Sequence, residues 1–155
     1  MTTALRDELR QQKPFKSLQE EAFLNVARTG ALLNDGLDGV LGPHGLSQTQ
    51  YNVLRMLRGA GKGGLCRNEI RDRLVTRMPD VSRLLDRMEA AGLVCRDRSL
   101  EDRRLVNTTL TGEGKSLVDR LDKAVAREHA RLLGHMSADQ LRALVDLLTI
   151  ARIQG

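Results

Sequence analysis

Aromatic side chains are scarce in this chain of 155 residues: it has no Trp, one Tyr and two Phe. Proteins that grip single-stranded nucleic acid stack bases on several exposed rings, so that class is excluded by composition. The two cysteines, Cys66 and Cys95, have no C-x-x-C spacing, and the three histidines, His44, His129 and His135, are scattered, so no metal site is expected. No apolar stretch approaches a membrane span, and the first eight residues carry acids and no apolar run, which predicts neither a membrane partner nor a secretory signal. Cysteines so used fit a reducing cytoplasm. No Ser/His/Asp set, carboxylate pair or phosphate-binding loop stands out, so neither an enzyme nor a cofactor is expected.

What the chain does have is localised positive charge. The net charge is +5, and residues 55–104 account for all of it, with twelve Arg and one Lys against eight carboxylates. The flanks are neutral. A basic segment between neutral flanks suits a polyanionic partner, and the length suits one domain.

Capping patterns mark the helices. Ser17-x-x-Glu20 opens a long helix ending near Gly42-Pro43, with Leu18, Ala22, Val26, Leu33, Leu37 and Leu41 as its stripe. The polar segment before it reads as an arm. Ser47-x-x-Gln50 opens a helix with Val53, Leu54 and Leu57 inward, ended by Gly59, Gly61, Gly63 and Gly64. A short helix over 67–74 carries Ile70 and Leu74, and a tight Val75-Thr76 connection leads into another over Pro79–Ala91. There Val81, Leu84, Leu85, Met88 and Ala91 share one face, and Gly92 stops it. Thr111 caps a helix running to about Leu133, and Ser137-x-x-Gln140 opens the last, with Leu141, Leu144, Val145, Leu148 and Ala151 aligned.

Between Gly92 and Thr111 the pattern changes period. Leu93–Arg96 and Leu105–Leu110 read as two strands joined by the polar run Asp97–Arg104. A two-stranded ribbon is not stable alone, so it must lean on helices and leave its tip in solvent. Arg96, Arg98, Arg103 and Arg104 then face outward. The predicted class is mainly α with a small β-wing: a winged helix-turn-helix of about six helices and a two-stranded antiparallel hairpin. The first and last helices offer more amphipathic surface than such a core needs, which predicts an intertwined homodimer.

The order of elements, with Leu46-Ser47-x-x-Gln50-x-x-Val53-Leu54, Pro79-Asp80-Val81-Ser82-Arg83, Gly92-Leu93-Val94-x-Arg96, Asp102-Arg103-Arg104 and Leu110-Thr111-x-x-Gly114, resembles the multiple-antibiotic-resistance regulator (MarR) family. The resemblance covers about residues 18–153. It implies a dimer with each recognition helix in a major groove of double-stranded DNA and each wing over an adjacent minor groove. Carried over by position, Pro79, Ser82 and Arg83 meet bases and phosphates, Arg104 enters the minor groove, and Asp102 holds that arginine in place. Asp80 stands where many members have Ser or Thr, and Asn107-Thr108-Thr109 is a more polar return strand than usual.

Chemistry assigns the individual roles. Arg83 can bond guanine O6 and N7 in parallel, or hold a phosphate or a neighbouring acid. Ser82 and Thr76 suit phosphates or base edges, although Thr76 equally suits a helix cap. Asp80 would accept from cytosine N4, or serve the positive helix end. Arg87 lies on the polar face of the helix. Arg104 suits a narrow A·T-rich minor groove, and Arg96, Arg98 and Arg103 suit phosphates.

The expected organisation is one domain over 1–155, with dimerisation helices in 1–45 and 112–155 and a DNA-binding region over 46–111. The expected function is a cytoplasmic, homodimeric, sequence-specific DNA-binding transcription regulator, a ligand-responsive repressor on a pseudo-palindromic operator. By family analogy the effector is a small aromatic or phenolic molecule, and no residue is assigned to it. The alternatives are a winged helix that binds an acidic protein and a nonspecific architectural DNA binder.

Overall fold

The computed structural model describes residues 4–153. Residues 1–3 and 154–155, part of the expected dimerisation segments, lie outside the described residues. In chain order the elements are α1 (Leu5–Glu8), α2 (Leu18–Leu41), α3 (Gln48–Ala60), β1 (Leu65–Cys66), α4 (Arg67–Arg73), α5 (Val81–Ala90), β2 (Val94–Arg98), β3 (Val106–Leu110), α6 (Gly112–Leu133) and α7 (Ala138–Arg152). This is a winged helix-turn-helix, α3, α4 and α5 followed by the β2–β3 wing, framed by longer outer helices.

The helices start where the capping patterns place them. Ser47 and Ser137 complete full capping boxes with Gln50 and Gln140. Ser17 caps α2 through the Glu20 N–H, but the Glu20 carboxylate takes the Lys16 N–H instead of closing the box. The core lies between α3, α5, the sheet and α6, where Leu54, Leu57, Ile70, Met88, Val118 and Leu121 are essentially fully buried. Each such side chain contributes about 1.5–3 kcal/mol over its exposed state. Arg58 of α3 fastens α6 from the rim, donating to Asp119 at 2.8 Å and to Asp122 at 2.7 and 3.1 Å. Those bonds push its pKa above the ordinary arginine value.

The structure corrects the expected sheet and the turn before α5. The hairpin is joined by a third strand, giving the order β1-β3-β2, all antiparallel, with Leu65 opposite Thr108 and Val94 opposite Leu110. Two features invisible to local pattern allow this. Gly64 lies so close to the wing that a Cβ there would sit 2.3 Å from the Thr108 carbonyl oxygen, and Asn107 donates its side-chain N–H to the Gly63 carbonyl at 2.9 Å. The polar return strand is therefore satisfied within the fold: Thr108 is buried, and Thr109 shares a hydrogen bond with Cys95.

The connection into α5 is also longer than the predicted Val75-Thr76 link. It occupies 74–80, and α5 starts at Val81 with Asp80, not Thr76, as its cap. Asp80 Oδ1 accepts from the Arg83 N–H at 3.0 Å. Pro79 belongs to the turn.

At its other end, α5 stops in a Schellman turn. The Gly92 N–H donates to the Glu89 carbonyl and the Leu93 N–H to the Met88 carbonyl at 3.0 Å, with Gly92 at φ +75°. A Cβ in that left-handed region costs about 1–2 kcal/mol, so Gly92→Ala is expected to lower the unfolding free energy by that amount in a urea titration.

The outer helices leave apolar surface uncovered. α2 and α6 pack closely at Gly36, where a Cβ would meet Glu128 and Leu132. Farther out, Leu18, Phe23 and Val26 on α2 and Val145, Leu147 and Ile150 on α7 are more than half exposed, and α7 has no buried residue. The expected arm before α2 contains the single turn α1, anchored by buried Leu5. No helix among the described residues is long and apolar enough to cross a membrane.

Candidate nucleic-acid interface

The recognition helix presents its two faces cleanly. Val81, Leu84, Leu85 and Met88 are buried against α3, α4 and the sheet, which turns Ser82, Arg83, Asp86 and Arg87 outward. The wing stands beside it, and its tip is ordered by local bonds. Ser99 Oγ accepts from the Glu101 and Asp102 N–H groups, the Ser99 N–H donates to the Leu105 carbonyl, and the Leu105 N–H donates to the Asp102 carbonyl. Asp102 Oδ1 accepts from the Arg104 backbone N–H at 3.0 Å. It thus sets the Arg104 backbone, with the guanidinium left to solvent.

Ion pairing separates the arginines. Arg96 is engaged inside the protein: Nη2 lies 2.6 Å from both Asp86 and Glu89, and Nε donates to Glu89 at 3.0 Å. Hydrogen bonds to Glu89 and then Asp86 raise its pKa above the ordinary arginine value. Arg96, expected to reach for phosphate, here ties the first wing strand to the recognition helix. Arg83 pairs with Asp80 at 3.2 Å, but its side chain is 78% exposed, and an exposed pair of that kind is weak enough to exchange for another anion. Arg87, Arg98, Arg103 and Arg104 have no carboxylate partner among the described residues.

Of the other expected positions, Thr76 and Pro79 are exposed in the turn before α5, and Asp80 is occupied as cap and ion-pair partner. Ser82 is half-buried and accepts a bond from Arg67 Nη1 at 3.3 Å. Arg67 was not among the sequence candidates. Its signal is electrostatic: it stands at the positive end of α4, where an acid is favoured, and it lacks a carboxylate partner among the described residues. Arg67, Ser82 and Arg104 line a cleft of about 470 Å³ between recognition helix and wing. Cys66 opens α4, its N–H donating to Glu69 at 2.8 Å, which holds the Glu69 carboxyl below its usual range. Among the described residues no His, Cys, Asp or Glu side chains gather as metal ligands.

Comparison with known proteins converges on this architecture. A family model described as MarR family matches residues 44–105, the span from the end of α2 to the wing. A crystal structure of a MarR transcription factor from Planctomyces limnophilus is 39% identical, with 88% of this chain and 99% of that one aligned at a TM-score of 0.67. The chain belongs to the MarR family. An HTH-type transcriptional repressor of Mycobacterium tuberculosis is 31% identical over 121 residues, covering 78% of this chain and 86% of the relative. The transcriptional repressor CouR, solved bound to a 23-mer DNA duplex, is 30% identical, with 92% of this chain and 100% of that one aligned at a TM-score of 0.77. As a MarR-family member the chain is a transcription regulator and not an enzyme.

Proposed function

We propose that this MarR-family regulator acts as a homodimeric repressor that binds a pseudo-palindromic operator through two copies of the α5-and-wing surface. One observation carries the reading: Arg83, Arg87, Arg98, Arg103 and Arg104 project from two adjacent elements, and most of them have no acid among the described residues to neutralise them. Such a surface attracts the phosphate backbone, while α5 is shaped to reach base edges in a major groove. CouR is a transcriptional repressor solved on a DNA duplex, and the mycobacterial relative is a repressor too. The exposed apolar faces of α2 and α7 support dimerisation through residues 4–45 and 112–153, with 46–111 as the DNA-binding region. Half-sites in the operator would then be centred about 34–36 Å apart. A small aromatic or phenolic effector acting where the outer helices meet this region completes the proposal, together with a cytoplasmic location, where a transcription regulator meets its DNA.

Selection of bound duplexes from a random pool, followed by fluorescence anisotropy, tests the reading. A palindrome bound more tightly than unrelated duplexes is expected. Arg104→Ala should weaken binding to both and reduce the slope of log affinity against log salt by about 1. Arg83→Ala should instead erode discrimination by about 1–3 kcal/mol at one base pair. Equal binding to every duplex would overturn operator recognition, and unchanged affinity in Arg104→Ala would remove the wing contact.

A further inference from the structure

The cleft between recognition helix and wing has a defined relation to duplex DNA. Two neighbouring grooves are separated by one sugar–phosphate strand. If α5 enters a major groove and the wing tip the adjacent minor groove, that strand must cross the space between them. The structure has a cleft of about 470 Å³ at that place, with Arg67, Asn68 and Ser82 on the helical side and Arg104 on the wing side.

The cleft's charge is set by which of its cations are already satisfied. Arg96 also lines it, but Asp86 and Glu89 neutralise that guanidinium. Arg67 is exposed and, among the described residues, bonds only to the neutral Ser82 hydroxyl, at 3.3 Å, which steers the guanidinium toward α5 without discharging it. Arg104 faces it across the cleft, its backbone set by Asp102. A guanidinium with free N–H donors in a polar cleft matches the tetrahedral oxygens of a phosphodiester.

We infer that Arg67, oriented by Ser82, clamps one backbone phosphate of the strand running between recognition helix and wing, leaving Arg104 to the minor groove. The inference rests on the DNA-binding reading above and adds to it a residue from α4. A contact of this kind carries no sequence preference; it sets the register of α5 and the wing on the duplex.

The test uses the full chain with a selected duplex and an unrelated one, and a set of selected duplexes in which single phosphates are replaced by neutral methylphosphonates. Arg67→Ala is expected to weaken both duplexes alike, by about tenfold, and to lower the salt slope by about 1. In each half-site one methylphosphonate position should weaken the wild type but cost the Arg67→Ala protein nothing further. Ser82→Ala should produce a smaller loss at that same position. Wild-type affinity and salt slope in Arg67→Ala, alongside weakened binding in Arg104→Ala, would overturn the clamp and leave DNA binding standing. Loss of discrimination between duplexes with an unchanged salt slope would make Arg67 a base reader and would also overturn it. A wild-type protein that binds neither duplex would remove the reading on which the clamp rests.

Discussion

Arg96→Met is expected to weaken DNA binding without removing a DNA contact. The guanidinium joins β2 to Asp86 and Glu89 of α5, and the side chain is only 26% exposed. Methionine keeps much of the apolar stem and deletes the charge. Charge-assisted bonds of this kind contribute about 1.5–3 kcal/mol, and losing that amount lowers the docked-to-undocked ratio of the wing by about tenfold or more. Apparent affinity falls with the docked fraction, by that factor at most, because only the docked arrangement places Arg104 beside α5.

Two further measurements separate a clamp from a phosphate contact. Glu89→Gln should also weaken binding, although it removes a negative charge from a surface that faces a polyanion. The salt slope of Arg96→Met should match that of the wild type, since no counterion-releasing contact is lost. A slope lowered by about 1, with tighter binding by Glu89→Gln, would return Arg96 to the phosphate contacts.

Gly114→Ala is expected to have the largest effect on stability. A Cβ at Gly114 would lie 2.0 Å from the Leu93 carbonyl oxygen and 3.2 Å from Leu110 Cδ2. The Leu93 carbonyl cannot easily withdraw, because it accepts the Thr111 N–H at 3.1 Å while the Leu93 N–H closes the α5 Schellman turn. Thr111 adds to the lock by donating to the Gly92 carbonyl at 2.6 Å and accepting from the Gly114 N–H at 3.0 Å. Relief therefore requires α6 to move off the hairpin, with loss of those bonds. Overpacking and lost hydrogen bonds together cost about 3 kcal/mol, which for a domain of this size lowers Tm by about 6–12 °C. Gly112→Ala, in the same turn of α6 with nothing within 4 Å of its Cβ, is the control and should melt at or above the wild-type temperature. Calorimetry of the two variants decides the matter, and equal transitions would show that the Leu93 to Gly114 approach is not a constraint.

That lock explains why the Gly-Leu-Val and Leu-Thr-x-x-Gly segments go together in the sequence, which spacing alone records only as coincidence. Other features were legible from residue order because they are local. Ser47, Thr111 and Ser137 cap helices through bonds spanning three residues, and Gly92 ends α5 through bonds within one turn. The start of α5 was misplaced because Thr76, Pro79 and Asp80 all suit a helix entrance, and the actual turn is tied to α3, where Asn52 accepts the Val75 N–H at 3.3 Å. The third strand escaped notice because it is two residues long and exists only where Gly64 approaches Thr108.

The sequence by itself determined the helices and their caps, the basic segment, and enough of the motif order to indicate the MarR family. Each of these depends on neighbours within about a turn of helix or a few residues of strand. Tertiary structure alone decided how the arginines divide their work. Arg58 finds Asp119 and Asp122 on α6, Arg96 finds Asp86 and Glu89 across the α5–β2 turn, and Arg67 meets Ser82 on the next helix. A guanidinium has the same charge wherever it stands; whether it holds the fold or is left to meet an external anion depends on which carboxylates the packing of the helices brings within reach.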